Sequence, residues 1–278
     1  MMVQNQIKSR VRKTSGLLIT ILTFLFLYLP IIIIFLISVN NSTRGYRWEG
    51  FTLKWYQDLL FNVTNPSSDL RIFREAIGNT IWVALRSTFF ATLLGTIFAI
   101  GIHALDKKKR VKMMVLNNIP VVNPDIVTGI SLMVVFSLLS FQLGESTVLL
   151  AHIFFSIPYV VLSIIPKLKR LDPNMYEAAL DLGCSRLSAV WRVILPNIST
   201  GIIGGALIAF TMSIDDFVIS YFTSGIDFEN VSIWLYTKMK NPQNLNPTLY
   251  AYNVLIILIT IGVILYINLK KDRKEKIS

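Results

Sequence analysis

The chain has 278 residues, 53% of them hydrophobic and only 15% charged, with a formal net charge of +11. A soluble domain of this size carries about a quarter charged residues, so the composition excludes an ordinary soluble protein and points to a polytopic membrane protein. The basic residues sit in blocks at the ends of apolar runs, which argues against a nucleic-acid partner, and a single cysteine, Cys184, rules out an internal disulfide framework.

A membrane span needs about 20 mostly apolar residues, and six stretches are candidates. The first, 16–39, is free of charge and follows Lys8, Arg10, Arg12 and Lys13. It is too long for a signal peptide and no small-residue cleavage site follows, so an uncleaved span is expected. A long loop comes next, ending in "DLRIFREAIGNT". There Leu70, Phe73 and Ile77 recur at helical spacing opposite Arg71, Arg74 and Glu75, which predicts a short helix lying at the outer interface. The second span, 80–105, contains Arg86. The third, 126–141, follows the proline-punctuated "NIPVVNPD". The fourth, 147–165, contains Pro158, which is expected to kink it. The fifth, 198–222, contains Asp215 and Asp216. A loop carrying Trp234 and Tyr236 leads to the sixth, 249–269. The expected architecture is all-α, six transmembrane helices in one domain over 1–278.

Lysine and arginine set the orientation. The N-terminus, "DKKKRVK", the segment around Glu177 and the tail together hold 19 of them, against 7 in the opposite loops. By the positive-inside rule both termini and the Glu177 segment are cytoplasmic.

That segment, 172–196, is polar between two apolar runs. Asp172 suits an N-cap and Pro173 the first helical position. Gly183 suits the left-handed residue that ends a first helical piece, and Pro196 is expected to stop a second. On physical grounds alone, such a helix–turn–helix suits either a lever presented to a cytosolic partner or an amphipathic helix on the lipid surface. The pattern Glu177-Ala178-Ala179, three residues, Gly183, nine residues, Val193, one residue, Leu195-Pro196 resembles the "EAA" loop of bacterial ABC importer membrane subunits. Val193 stands where that family prefers isoleucine. "PDIVTGISLMVVF" (124–136) and "SIDDFVISYFTSG" (213–225) are similar to the C-type membrane subunit of spermidine/putrescine ABC transporters.

The resemblance implies a MetI-like permease fold with a cytoplasmic coupling helix. Glu177, Ala178, Ala179, Gly183, Leu195 and Pro196 would contact an ATPase. The implied partners are a second, homologous permease subunit, two copies of a cytosolic ABC ATPase, an extracellular substrate-binding protein and the lipid membrane. ATP and magnesium would bind the ATPase, leaving this chain without a cofactor and without enzymatic activity. The sequence agrees: it has no Gly-Lys pair and so no P-loop. His103 and His152 lie in separate spans with one cysteine elsewhere, which assembles no metal cluster or nucleophilic triad. His103 is expected at the interface and His152 as a hydrogen-bonded packing residue.

Carboxylates inside a span are costly and signal function. Asp215 and Asp216 lie some 25 Å along the fifth span at about 1.5 Å per residue. Gly201, Gly205, Ala209 and Ser213 form a stripe of small residues that lets helices approach. The stripe continues to Asp216 and Ser220, which places Asp216 at a seam where a path between two permease subunits would run. Asp215 is turned by about 100°. Arg86, at comparable depth, is a candidate ion-pair partner for Asp215. A polyamine's ammonium groups need a carboxylate or an aromatic face to replace water. Ser213, Asp215, Asp216, Ser220, Tyr221, Phe222 and Trp234 are therefore the candidate substrate path, with interfacial anchoring the alternative role for the three aromatics. Another small solute, such as iron or sulfate, is the alternative cargo, although the acid pair argues against anions. A membrane enzyme would need a convergent acid, base and nucleophile that the spans lack, and a scaffold would leave paired intramembrane aspartates unexplained.

Overall fold

The computed structural model describes residues 2–42, 47–61, 68–172, 174–239 and 247–275. These form helices α1 (Met2–Ser38), α2 (Lys54–Leu60), α3 (Ser68–Ala104), α4 (Lys107–Val122), α5 (Asp125–Leu138), α6 (Glu145–Leu168), α7 (Asn174–Asp181), α8 (Arg186–Ala189), α9 (Leu195–Asp215), α10 (Val218–Thr223), α11 (Val231–Met239) and α12 (Thr248–Glu275). A π-helical turn, Val190–Ile194, joins α8 to α9. Among the described residues the one extended pairing is an isolated antiparallel bridge between Asn40 and Phe51. The fold is all-α, as expected.

Among the described residues, four segments are long and apolar enough to cross a membrane: Gly16–Ser38, Leu70–Ala104, Glu145–Leu168 and Arg186–Asp215. Helices α4 and α5 qualify only as a pair bent by 101°, and α12 contributes a shorter apolar stretch, Thr248–Gly262. The third span thus differs from the expected straight run over 126–141. Its first arm begins in the basic block at Lys107, which is helix rather than loop, and the chain turns at Asn123–Pro124. Proline lacks an amide hydrogen and pushes the residue before it out of the helical region; Asn123 is extended, at φ −75° and ψ 135°.

The chain divides into two compact units, Met1–Leu70 with Lys238–Ser278, and Arg71–Thr237. In the first, α1 and α2 both pack on α12. The loop after α1 is closed by Asn40, which is buried. Its side-chain amide donates to the Arg47 carbonyl, its side-chain oxygen accepts from the amides of Ser42 and Glu49, and its own carbonyl accepts from the Trp55 indole at 2.7 Å.

In the second unit α6 is the central helix and α9 its main neighbour. The small-residue stripe makes that contact possible. A Cβ at Gly201 would lie 2.8 Å from Lys167 Cγ, and one at Gly205 3.1 Å from Val160 Cα. In lipid, where apolar surface gains little by leaving the solvent, such close packing is what holds helices together. Val160, Ile164, Leu168, Ile198 and Ala209 fill the seam. The stripe therefore serves a close helix–helix contact, here with α6 of the same chain. Pro158 lies inside α6, which runs unbroken through it.

The predicted interfacial helix at residues 69–80 is the first part of α3. Its apolar spacing is real, but Phe73 is buried against Trp234, with ring centroids 4.5 Å apart. The same stretch is tied down by the Asn79 side chain, which donates to the Glu229 carbonyl, and by Thr80 Oγ1, which accepts from the Val231 amide. A protein surface, rather than lipid, covers its apolar face.

Candidate functional site

The 172–196 loop has the expected turn. Asp172 Oδ1 accepts from the Asn174 amide at 2.9 Å, opening α7; Pro173 lies outside the described residues. Gly183 adopts φ +84°. Its amide donates to the Leu180 carbonyl at 2.9 Å, and the Cys184 amide donates to the Ala179 carbonyl at 3.0 Å. This is the paired closure that a left-handed residue after a helix permits. Ser185 Oγ then accepts from the Ser188 amide and starts α8. Glu177, Ala178 and Gly183 are exposed, whereas Ala179 is buried.

Pro196 does not stop the second piece. The helix runs on from Arg186 to Asp215, because the ladder widens to a π turn just before the proline, with the Leu195 amide donating to the Val190 carbonyl. Pro196 then occupies the first turn of α9, where a missing amide hydrogen is least felt. A cavity of about 410 Å³ lies behind this joint, lined by Ile100, His103, Met175, Tyr176, Val193 and Ile194 among others.

The acid pair marks the opposite end of the same helix. The fifth span is not continuous to 222: α9 ends at Asp215, and Asp216 is extended, at φ −63° and ψ 128°. The Asp216 carboxylate accepts from the amides of Ser220 at 2.7 Å and Ile219 at 3.4 Å, which satisfies the first turn of α10. His152, on α6, closes over it. Nδ1 lies 2.6 Å from Ser213 Oγ, and Nε2 lies 2.9 Å from Ser220 Oγ and 3.4 Å from Asp216 Oδ2. The His152 and Asp216 side chains are 1% and 9% exposed. Ser87 of α3 donates to Ser213 Oγ at 3.0 Å and completes the network. Asp215 is exposed.

Arg86 is not the partner of Asp215. Its Nη1 lies 3.0 Å from Glu145 Oε1, at the start of α6, and its guanidinium lies 3.9 Å from the centroid of the Trp82 ring. The reason is rotational. Ser87 is the residue that faces Ser213 on α9, and its neighbour Arg86 is turned about 100° away.

The inner membrane component of binding-protein-dependent transport systems is the family whose profile matches residues 91–274. The spermidine/putrescine transport system permease protein PotC of Escherichia coli K12 is 32% identical over 253 residues, 91% of this chain and 92% of the relative. This chain belongs to that permease family. The putrescine transport system permease protein PotI of the same strain is 32% identical to the permease over 254 residues, 89% of this chain and 87% of the relative. A Mycoplasma genitalium PotC homolog is 30% identical over 259 residues, 90% of this chain and 88% of the relative. Among solved structures, a bacterial ABC transporter involved in alginate import shares the permease's fold with a TM-score of 0.69, at 17% identity over 98% of this chain and 99% of the other.

The permease's aromatic candidates separate. Trp234 is 3% exposed and packed at a tilt against Phe73, which buries it away from both a path face and the membrane interface. Tyr221 is exposed and belongs to a ring cluster with Phe217 and Tyr236, at centroid separations of 5.0 to 5.6 Å; Phe222 meets Tyr221 edge-on at 5.5 Å. Phe217, Tyr236, Ser87 and the bridging role of His152 escaped sequence reasoning. A lone histidine in one apolar span and an acid pair in another, both near serines, were the available signal for His152. Nothing in the local pattern marked Ser87.

Proposed function

We propose that this permease is the C-type membrane subunit of an ATP-driven importer for polyamines, spermidine or putrescine. The observation that carries the reading is identity of about a third to PotC and PotI over nine-tenths of the chain. The exposed carboxylate of Asp215, two residues before Phe217 of the Tyr221 ring cluster, supports it, since a carboxylate and aromatic faces are what an ammonium group needs once it leaves water. Of the two aspartates, Asp215 meets the cargo, while Asp216 serves the helix break.

The chain works as one permease domain, paired with a second, homologous permease and two ATPase subunits and supplied by an external binding protein. Both termini and the 172–196 loop face the cytoplasm. The loop docks on the ATPase through Glu177 and the exposed apolar side chains of Leu182, Leu187 and Trp191. ATP and magnesium act on the ATPase, and the π joint passes its movement to α9.

The test is uptake of labelled spermidine and putrescine by cells that lack their own polyamine importers and express the permease with its neighbouring transport genes. Saturable, ATP-dependent uptake of either is expected. Absence of both, with uptake of another solute by the same assembly, would overturn the polyamine assignment.

A further inference from the structure

The His152 network spans a break in a helix that has no proline or glycine at the break itself. Residues 213–220 read "SIDDFVIS", and nothing in that stretch obliges a helix to end. Continuing the helix would satisfy the same amides and carbonyls locally. Side-chain bonds replace them. Asp216 takes the amides of Ile219 and Ser220. His152, fixed on α6, holds the last turn before the break through Ser213 and the first turn after it through Ser220. The imidazole rests edge-on against Phe155, with centroids 5.4 Å apart. A neutral ring offers one donor and one acceptor. It can thus donate at Nε2 to Ser220 Oγ, with the Asp216 carboxylate 3.4 Å away, and accept at Nδ1 from Ser213.

The consequence lies with the neighbouring aspartate. Asp215 is the last residue of α9, two positions after Ser213 and so about 200° around the helix from it. Because Ser213 is held against His152, Asp215 is turned out.

We infer that His152 is a positioning residue of the translocation site: by bridging Ser213 to Ser220 and Asp216 across the α9–α10 break, it sequesters Asp216 and fixes Asp215 in the orientation that receives a cationic substrate. This rests on the polyamine reading of the same site. His152 itself does not touch the cargo.

The test uses the complete transporter with three variants. His152→Phe keeps a ring and removes both hydrogen bonds. His152→Gln keeps a donor and an acceptor. Ser220→Ala removes the link to His152 Nε2 and the hydroxyl's own bond to Asp216, and leaves the Ser220 amide in place. Loss of positioning should raise the KM for spermidine about tenfold in His152→Phe, the scale of losing one to two buried hydrogen bonds, with the maximal rate changed little. His152→Gln should recover most of that loss, and Ser220→Ala should raise KM by about threefold. A space-filling role predicts the reverse order, with phenylalanine tolerated and glutamine not; that order, or an unchanged KM in Ser220→Ala should the phenylalanine variant fail to assemble, overturns the proposal.

A second readout needs no substrate. In a transporter with its native cysteines replaced, Thr223→Cys places a thiol at a buried site on α10. Maleimide labelling there should be slow with His152 present and about tenfold faster in His152→Phe, as local opening of α10 becomes less costly. Equal labelling in the two overturns the bridging role. Wild-type protein that transports no polyamine, yet shows the labelling difference, would place the fault in the cargo assignment instead.

Discussion

The two ends of the Arg186–Asp215 helix treat the backbone in opposite ways. Near the first end stands Pro196, a residue that interrupts helices, and the helix continues through a π turn. At the other end stand two aspartates with no proline or glycine between them, and the helix stops. What distinguishes them is where the displaced amides and carbonyls find partners. The π turn returns the Leu195 amide to the Val190 carbonyl within the same helix. At the break, the amides of α10 are taken by Asp216, and His152 of another helix secures both sides. A local breaker is absorbed when the ladder can widen. A break without a local breaker persists when tertiary partners hold it.

Substitutions at the two ends sharpen that contrast. The largest effect belongs to the coupling end. Glu177→Lys or Gly183→Pro should leave the permease in the membrane but abolish substrate-stimulated ATP hydrolysis and co-purification of the ATPase. Gly183 sits at φ +84° with open space around it, so the loss traces to the turn and not to a clash. Normal stimulation in both variants would reduce the loop to a surface feature.

Between the ends, Gly205→Leu should be next. Its side chain would meet Val160 Cα, a backbone atom that cannot step aside, and overpacking of this kind costs about 1–3 kcal/mol. The fraction of detergent-solubilised transporter surviving a heat step should fall clearly below wild type. Unchanged survival would mean that α9 and α6 are not in the contact described.

The smallest effect is expected from Arg86→Gln. The Arg86–Glu145 pair is half exposed in this chain, and such pairs contribute about 0–1 kcal/mol. Assembly and uptake should stay close to wild type, and adding Arg86→Gln to Asp215→Asn should rescue nothing. Recovery in the double variant would restore the ion pair that the sequence suggested and return Asp215 to a structural role.

The sequence made the helices legible because their signals are long or local. A charge-free run such as 16–39, and the left-handed requirement at Gly183, need no knowledge of the rest of the chain. The same holds for the small-residue stripe from Gly201 to Ser213, although its partner could not be read: α6 and an external subunit impose the same pattern. The break at Asp216 was hidden because it is set by His152, 64 positions earlier, through side-chain bonds that leave no local mark. The Arg86 pairing failed for a related reason. Depth in the membrane can be estimated by counting residues, but rotation about the helix depends on which neighbour, here Ser87, faces the seam. Trp234 had the composition of an interface anchor and became a core residue because the amphipathic start of α3 needed a cover.

The contrast between Asp215 and Asp216 tests the account most directly. Spermidine uptake should be measured in the reconstituted transporter carrying Asp215→Asn or Asp216→Asn, at matched assembly. Asp215→Asn should lower uptake at limiting substrate by about thirtyfold or more, the scale of losing a charge-assisted contact to an ammonium group. Asp216→Asn keeps an oxygen to accept the Ser220 amide and should lower uptake only a few-fold. Full uptake by Asp215→Asn together with loss in Asp216→Asn would contradict the account.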